Sequence, residues 1–146
     1  MKIEDIESEW VKDAKISETD LGGEALKIPR LHSKWYSMLL NEKKILYSIT
    51  IRKEELAIIL EAYFAKTLTM EELKEYELPP SSDKKILRQD IPKHIANYPA
   101  MVTLNLKIAL QSDKIEFMKD ILKQIHGRSF IIKDAIAWAQ FSNGSY

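Results

Sequence analysis

Arg30, Lys34, Lys43, Lys44, Arg52 and Lys53 crowd into one stretch of the chain. What such residues can do together is electrostatic. A positive track holds the phosphodiester backbone of a single strand, and aromatic rings beside it stack on bases. Trp35, Tyr36, Tyr47, Tyr63 and Phe64 supply rings in the same region. Trp35 and Tyr63 fall on an apolar seam and read as core, which leaves Tyr36 and Tyr47 as the freer pair. Lys84, Lys85 and Arg88 form a second basic cluster. The competing reading is an ordinary mixed surface whose charges intermingle on folding. Bond-making chemistry has no comparable constellation. There is no Gly-rich phosphate loop after a strand and no Gly-x-Ser-x-Gly elbow. His32, His94 and His126 lie far apart, each without a second ligand at metal spacing. The acid pairs Glu54-Glu55 and Glu71-Glu72 sit in charge-rich helical segments and read as solvated surface. No catalytic residue, metal or cofactor is therefore expected.

The whole chain of 146 residues has a formal net charge of zero. That total hides segregation. Residues 1–25 hold three Lys against eight Asp or Glu, and residues 26–60 hold seven Lys or Arg against three Glu. Residues 61–82 hold two Lys against five Glu, and residues 83–107 hold five Lys or Arg against two Asp. A nucleic-acid surface needs a local positive field rather than a positive total. There is no cysteine, which excludes disulfides and thiolate metal sites. No apolar run approaches the roughly 18 to 20 residues that span a bilayer. The acidic N-terminal stretch is unlike a signal peptide. The expectation is a single domain in the cytoplasm with no membrane partner.

These side chains must be positioned by helices. Ile3, Ile6, Trp10 and Val11 recur near helical spacing over residues 2–13. Residues 16–28, with Gly22-Gly23, read as a connector. A long helix is expected from Pro29 or Arg30 to Lys66, since Pro suits a first turn. Its seam runs Leu31, Trp35, Met38, Glu42, Ile45, Ile49, Arg52, Leu56, Ile59, Tyr63, in alternating steps of four and three. Glu42 and Arg52 interrupt it, either pairing with other helices or sitting at its edge. Met70–Tyr76 suits one or two helical turns, and residues 67–99 otherwise read as linker-like, with a short helix at 83–90. A second long helix is expected over Ala100–His126, with the seam Leu104, Ile108, Gln111, Ile115, Met118, Leu122, Ile125. Two such helices joined by a link imply an all-α fold, an antiparallel hairpin flanked by short N-terminal and C-terminal helices.

The tail, residues 127–146, stands apart. Gly127 reads as a helix stop and Ser129 as the cap of a new short helix. That helix carries Phe130, Ile131, Ile132, Ile136, Trp138 and Phe141. Its apolar residues cover more than one stripe, so one neighbouring helix cannot bury them all. Such surface marks self-association; the alternative is a helix folded back onto the monomer's own core.

Three segments carry a family resemblance. Arg128-Ser129-Phe130-Ile131-Ile132-Lys133-Asp134-Ala135-Ile136-Ala137-Trp138 resembles the C-terminal segment of UvsY-type recombination mediators from large T-even-like tailed phages. Lys27-Ile28-Pro29-Arg30-Leu31-His32-Ser33-Lys34-Trp35-Tyr36 resembles the entry to that family's first long helix, and Ile3-Glu4-Asp5-Ile6-Glu7-Ser8-Glu9-Trp10 its opening. Residues 65 to 100 lie outside the resemblance. It implies a non-enzymatic protein, working in the infected host's cytoplasm. Such a protein binds single-stranded DNA and helps load the phage's strand-exchange recombinase onto DNA covered by single-strand-binding protein. It also implies a homo-oligomeric ring, a hexamer or heptamer. The family carries a Lys and an Arg two residues apart before the aromatic pair that here is Tyr63-Phe64. The corresponding positions are Ile58 and Leu60, so that basic pair is not carried over. The DNA-binding candidates are Lys34, Lys43, Lys44, Arg52, Lys53 and Tyr47. The rival expectation is a helical assembly adaptor that oligomerises without binding DNA.

Overall fold

The computed structural model describes residues 1–144; the last two residues of the expected tail, Ser145 and Tyr146, lie outside the described residues. All regular structure among these is helical. The elements are α1 (Ile3–Ala14), α2 (Leu21–Leu26), α3 (Ile28–Phe64), α4 (Met70–Glu75), a 3-10 turn (Arg88–Asp90), α5 (Ile91–Asn97) and α6 (Pro99–Ser142). No helix among the described residues is long and apolar enough to cross a membrane. The chain divides into two compact units, one of Met1–Ile45 with the residues from Gln111 onward, the other of Leu46–Leu110.

In the first unit, α1 is too short to be stable alone and is held by what it buries. Ile6 is fully buried, and Trp35 and Leu39 of α3 and Ile115, Met118, Ile121, Ile125 and Ile132 of α6 are buried as well. Trp10 meets Trp35 edge to face, with centroids 5.7 Å apart. Asp13 accepts the Trp35 indole N–H at 2.9 Å. The α3 and α6 segments of this unit run antiparallel, since Glu42 meets Gln111 while Glu24, just before α3, meets Arg128. The polar interruptions of the two seams thus face each other. Gln111 donates to the Glu42 backbone carbonyl at 2.9 Å and to its carboxylate at 2.7 Å, both residues being buried.

The expected connector at 16–28 contains α2. Asp20 starts it by accepting the Gly23 N–H, and a side chain at 23 would collide with that carboxylate. Gly23 there serves the cap of α2 and is not a break.

The expected stop at Gly127 does not occur. Helix α6, 44 residues long in all, runs through the glycine to Ser142, and the glycine with positive φ among those described is Gly144, just beyond its end. A glycine ends a helix when it turns left-handed; Gly127 stays helical. The buried seam explains why, because Ile125, Arg128 and Ile132 carry it past the glycine into the tail.

In the second unit, Leu60 of α3, Leu73 of α4, Ile91 of α5 and Met101 of α6 are buried. The Phe64 ring contacts the rings of Tyr63, His94 and Tyr98. Helix α3 ends in a left-handed turn at Lys66, where Lys66 N–H bonds the Tyr63 carbonyl and Thr67 N–H bonds that of Ala62. Glu77 closes α4 the same way, with Leu78 N–H on the Leu73 carbonyl. The short helix expected at 83–90 lies later, at Ile91–Asn97. Pro92 opens it rather than breaking it, because a first-turn proline lacks only an N–H that would go unbonded there.

Candidate nucleic-acid interface

The first unit holds three of the basic candidates, and they differ in freedom. Lys34 is already engaged. Its ammonium sits 2.6 Å from both Glu9 and Asp13, over the face of Trp35. Burial alone would lower its pKa, but these two carboxylates outweigh it and hold the ammonium more firmly charged than usual. Lys34 is thus a packing residue that ties α1 to α3, and a strand phosphate would have to displace two acids to reach it. Lys43 is half-buried and Lys44 exposed, and among the described residues neither pairs with a carboxylate.

The second unit holds Tyr47, Arg52 and Lys53 on its part of α3. Tyr47 and Arg52 are exposed and Lys53 is half-buried, and neither cation has a carboxylate partner among the described residues. At about 100° per residue, Arg52 and Lys53 both turn more than a quarter-circle away from Tyr47. The helix therefore does not gather the ring with the two cations. Tyr47 shares its face with Ile51 and Ile58, both exposed. Of the two positions corresponding to the family's basic pair, Ile58 is 70% exposed and Leu60 is 0% exposed. Lys84, Lys85 and Arg88 are exposed, and Arg88 lines a cleft of about 800 Å³ with Ile86, Ile91, Pro92 and Ile95.

The apolar candidates of the tail split as well. Ile132 is 2% exposed and belongs to the first unit's own core, so part of the expected association surface completes the monomer. Ile136 is at the edge of exposure, while Phe130, Ile131, Trp138 and Phe141 are well exposed. Those four share one face of α6, and Trp138 stacks on Phe141 with centroids 5.8 Å apart. Sequence reading missed a second exposed apolar row, Val102, Leu106 and Leu110 on α6 in the second unit. Its signal was a spacing of four outside the seam.

It also missed Arg128 as an anchor. Its guanidinium is 4% exposed, donating to the Asp13 and Lys15 carbonyls at 2.8 and 2.9 Å and meeting the Glu24 carboxylate at 3.2 Å. Glu24 is held below the usual carboxylate range by its Lys27 bond first, against the opposing effect of burial, and then by Arg128. Burial pushes the Glu42 pKa up, but the Gln111 hydrogen bond and the Lys114 charge outweigh it and leave the group more acidic than usual.

Comparison with known proteins gives this geometry a context. No individually curated protein sequence matches the chain. Three crystal structures of the bacteriophage T4 recombination mediator protein UvsY share the fold. The lattice type II structure is 20% identical with a TM-score of 0.79, covering 98% of each chain. Type IV is 20% identical with a TM-score of 0.78, covering 97% of this chain and 99% of that one. Type I is 19% identical with a TM-score of 0.77, covering 94% and 98%. The model of a family described as recombination, repair and single-stranded-DNA-binding protein UvsY matches residues 9–145, including the 65–100 stretch that had shown no resemblance. The chain belongs to the UvsY family of recombination and repair proteins.

Proposed function

We propose that this protein is a recombination mediator. It binds single-stranded DNA and helps load a strand-exchange recombinase onto DNA covered by single-strand-binding protein, without making or breaking a bond. The observation that carries the reading is the family match over nearly the whole chain, in a family described by single-strand binding. The cations Lys43, Lys44, Arg52 and Lys53 support it, since none is spent on a carboxylate among the described residues. Self-association of identical chains through the exposed face at Phe130, Ile131, Trp138 and Phe141 would repeat these few charges, and linked weak sites gain avidity.

The second reading is an assembly adaptor that does not bind DNA. The neutral total charge and the apolar residues at 58 and 60 favour it. A salt titration of oligo-dT affinity separates the two. A mediator loses affinity linearly on log–log axes as salt rises, because its binding releases counterions, and an adaptor shows no binding at low salt. Reversing Lys43, Lys44, Arg52 and Lys53 to Glu should weaken oligo-dT binding strongly and flatten the slope. Helix content should stay intact, because none of the four is fully buried or paired with a carboxylate among the described residues, and such surface charges contribute little to stability. Unchanged affinity and slope in a folded reversal variant would move the track elsewhere, with Lys84, Lys85 and Arg88 next in line.

A further inference from the structure

We propose that the outer face of α3 is a docking surface for α3 of a second copy of this chain, the two helices lying antiparallel across a two-fold axis. The proposal does not rest on the DNA-binding reading. Helix α3 is one continuous helix of 37 residues. Its buried residues are Trp35, Leu39, Glu42 and Leu60. Roughly 140° around the helix from them, at about 100° per residue, runs a second seam of Leu40, Lys44, Tyr47, Ile51, Glu54 and Ile58. Its steps alternate four and three, the spacing of a coiled-coil contact.

The monomer makes no use of this seam. Leu40 is 41% exposed, Tyr47 59%, Ile51 54% and Ile58 70%. Lys44 and Glu54 are exposed too, and neither pairs with an opposite charge among the described residues. An exposed apolar row of this kind, rimmed by polar residues, marks an interaction site.

The order of residues along the seam selects the partner. Laid antiparallel on its own copy, the seam sets Leu40 against the partner's Ile58, Lys44 against the partner's Glu54 and Tyr47 against the partner's Ile51. The two-fold axis then repeats each contact, as a self-complementary patch requires. Every apolar residue meets an apolar one and every charge meets its opposite. A parallel, in-register pair would instead set Lys44 on Lys44 and Glu54 on Glu54. Shifting the antiparallel pair by one heptad would set Lys44 on Tyr47, or Ile51 on Glu54, and strand a charge against an apolar side chain. The two Lys–Glu contacts thus fix both direction and register, the repulsive alternatives doing as much as the attraction. Arg52 and Lys53 lie off the seam, so the contact leaves them open to a strand.

The test uses introduced thiols in the full chain, which has no cysteine of its own. Leu40→Cys and Ile58→Cys replace exposed side chains and should leave the helical signal unchanged. Mixed under a mild oxidant, the two variants should form an interchain disulfide. Either variant alone should form little, because antiparallel pairing holds each thiol roughly 27 Å from its own copy along the axis, far beyond disulfide reach. Lys44→Glu in both variants should abolish the mixed disulfide, and adding Glu54→Lys to both should restore it. A mixed disulfide no more abundant than that of either variant alone overturns the antiparallel contact. A yield indifferent to Lys44→Glu, or one that Glu54→Lys does not restore, overturns the pairing that the charges select.

Discussion

Glu42 and Gln111 look like flaws when each seam is read alone, and together they fix how the two helices of the first unit are paired. Sliding either helix by one turn would leave a buried carboxylate facing apolar side chains, a cost of several kcal/mol. Gln111→Ala should cost about 1–3 kcal/mol in denaturant unfolding, the usual penalty for orphaning a buried hydrogen-bonding group. Replacing both residues by Leu removes the buried carboxylate's desolvation cost but leaves the Lys114 and N-terminal ammonium groups without their partner, so it should still destabilise. The same carboxylates set the acid limit. Glu24 and Glu42 are both held below their ordinary value of 4.5. Their contribution is complete above that pH and is lost as pH falls through the depressed values. Urea melts taken down to about pH 3 should show stability dropping below 4.5, and Glu42→Gln should shrink the drop. At the other extreme, Lys66 carries a left-handed backbone without being glycine. Lys66→Gly should raise stability by about 1 kcal/mol, measured by the same unfolding experiment.

At the scale of the elements, the long helices were legible because burial enforces a period that sequence displays. The seams from Leu31 and from Leu104 predicted α3 and most of α6. What was not legible is where a period yields to a local device. Gly22-Gly23 read as a connector because nothing in composition reveals that Asp20 would cap a helix across Gly23. Gly127 read as a stop because the buried side chain that carries the seam beyond it is an arginine. In the helix interior a glycine is only a weak point, and a methyl group at 127 would meet nothing within 4 Å. Gly127→Ala should therefore stabilise the protein by about 1 kcal/mol in thermal or denaturant unfolding; destabilisation would mean that α6 bends or breaks there. Continuity of α6 also changes how the tail should be probed. Removing it from Ser129 would strip Ile132 from the core, so deletion confounds folding with assembly. Phe130→Ser with Trp138→Ser, both exposed at 67%, should instead lower the sedimentation coefficient of the assembly while leaving the helical signal unchanged. An unchanged particle would place the association surface elsewhere, with the Val102, Leu106 and Leu110 row as the next candidate.

For the whole molecule, family membership was readable from three segments near the chain's two ends, because those segments include the core contacts of the first unit: Ile6, Trp10, Trp35, Arg128 and Ile132. The proposed DNA track was less readable. Sequence counts charges but does not show which are already paired, so Lys34 entered as a free cation although Glu9 and Asp13 hold it. Nor does a list of residues on one helix establish a shared face, as Tyr47 and Arg52 demonstrate. The proposed function has this neutral chain bind a polyanion through a few unpaired cations multiplied by assembly. Native mass measured at low salt, with and without an oligo-dT strand, tests that claim most directly. The account predicts a homo-oligomer whose mass rises by that of the bound strand and returns to its starting value at high salt. A particle whose mass is the same with and without the strand at low salt would contradict it.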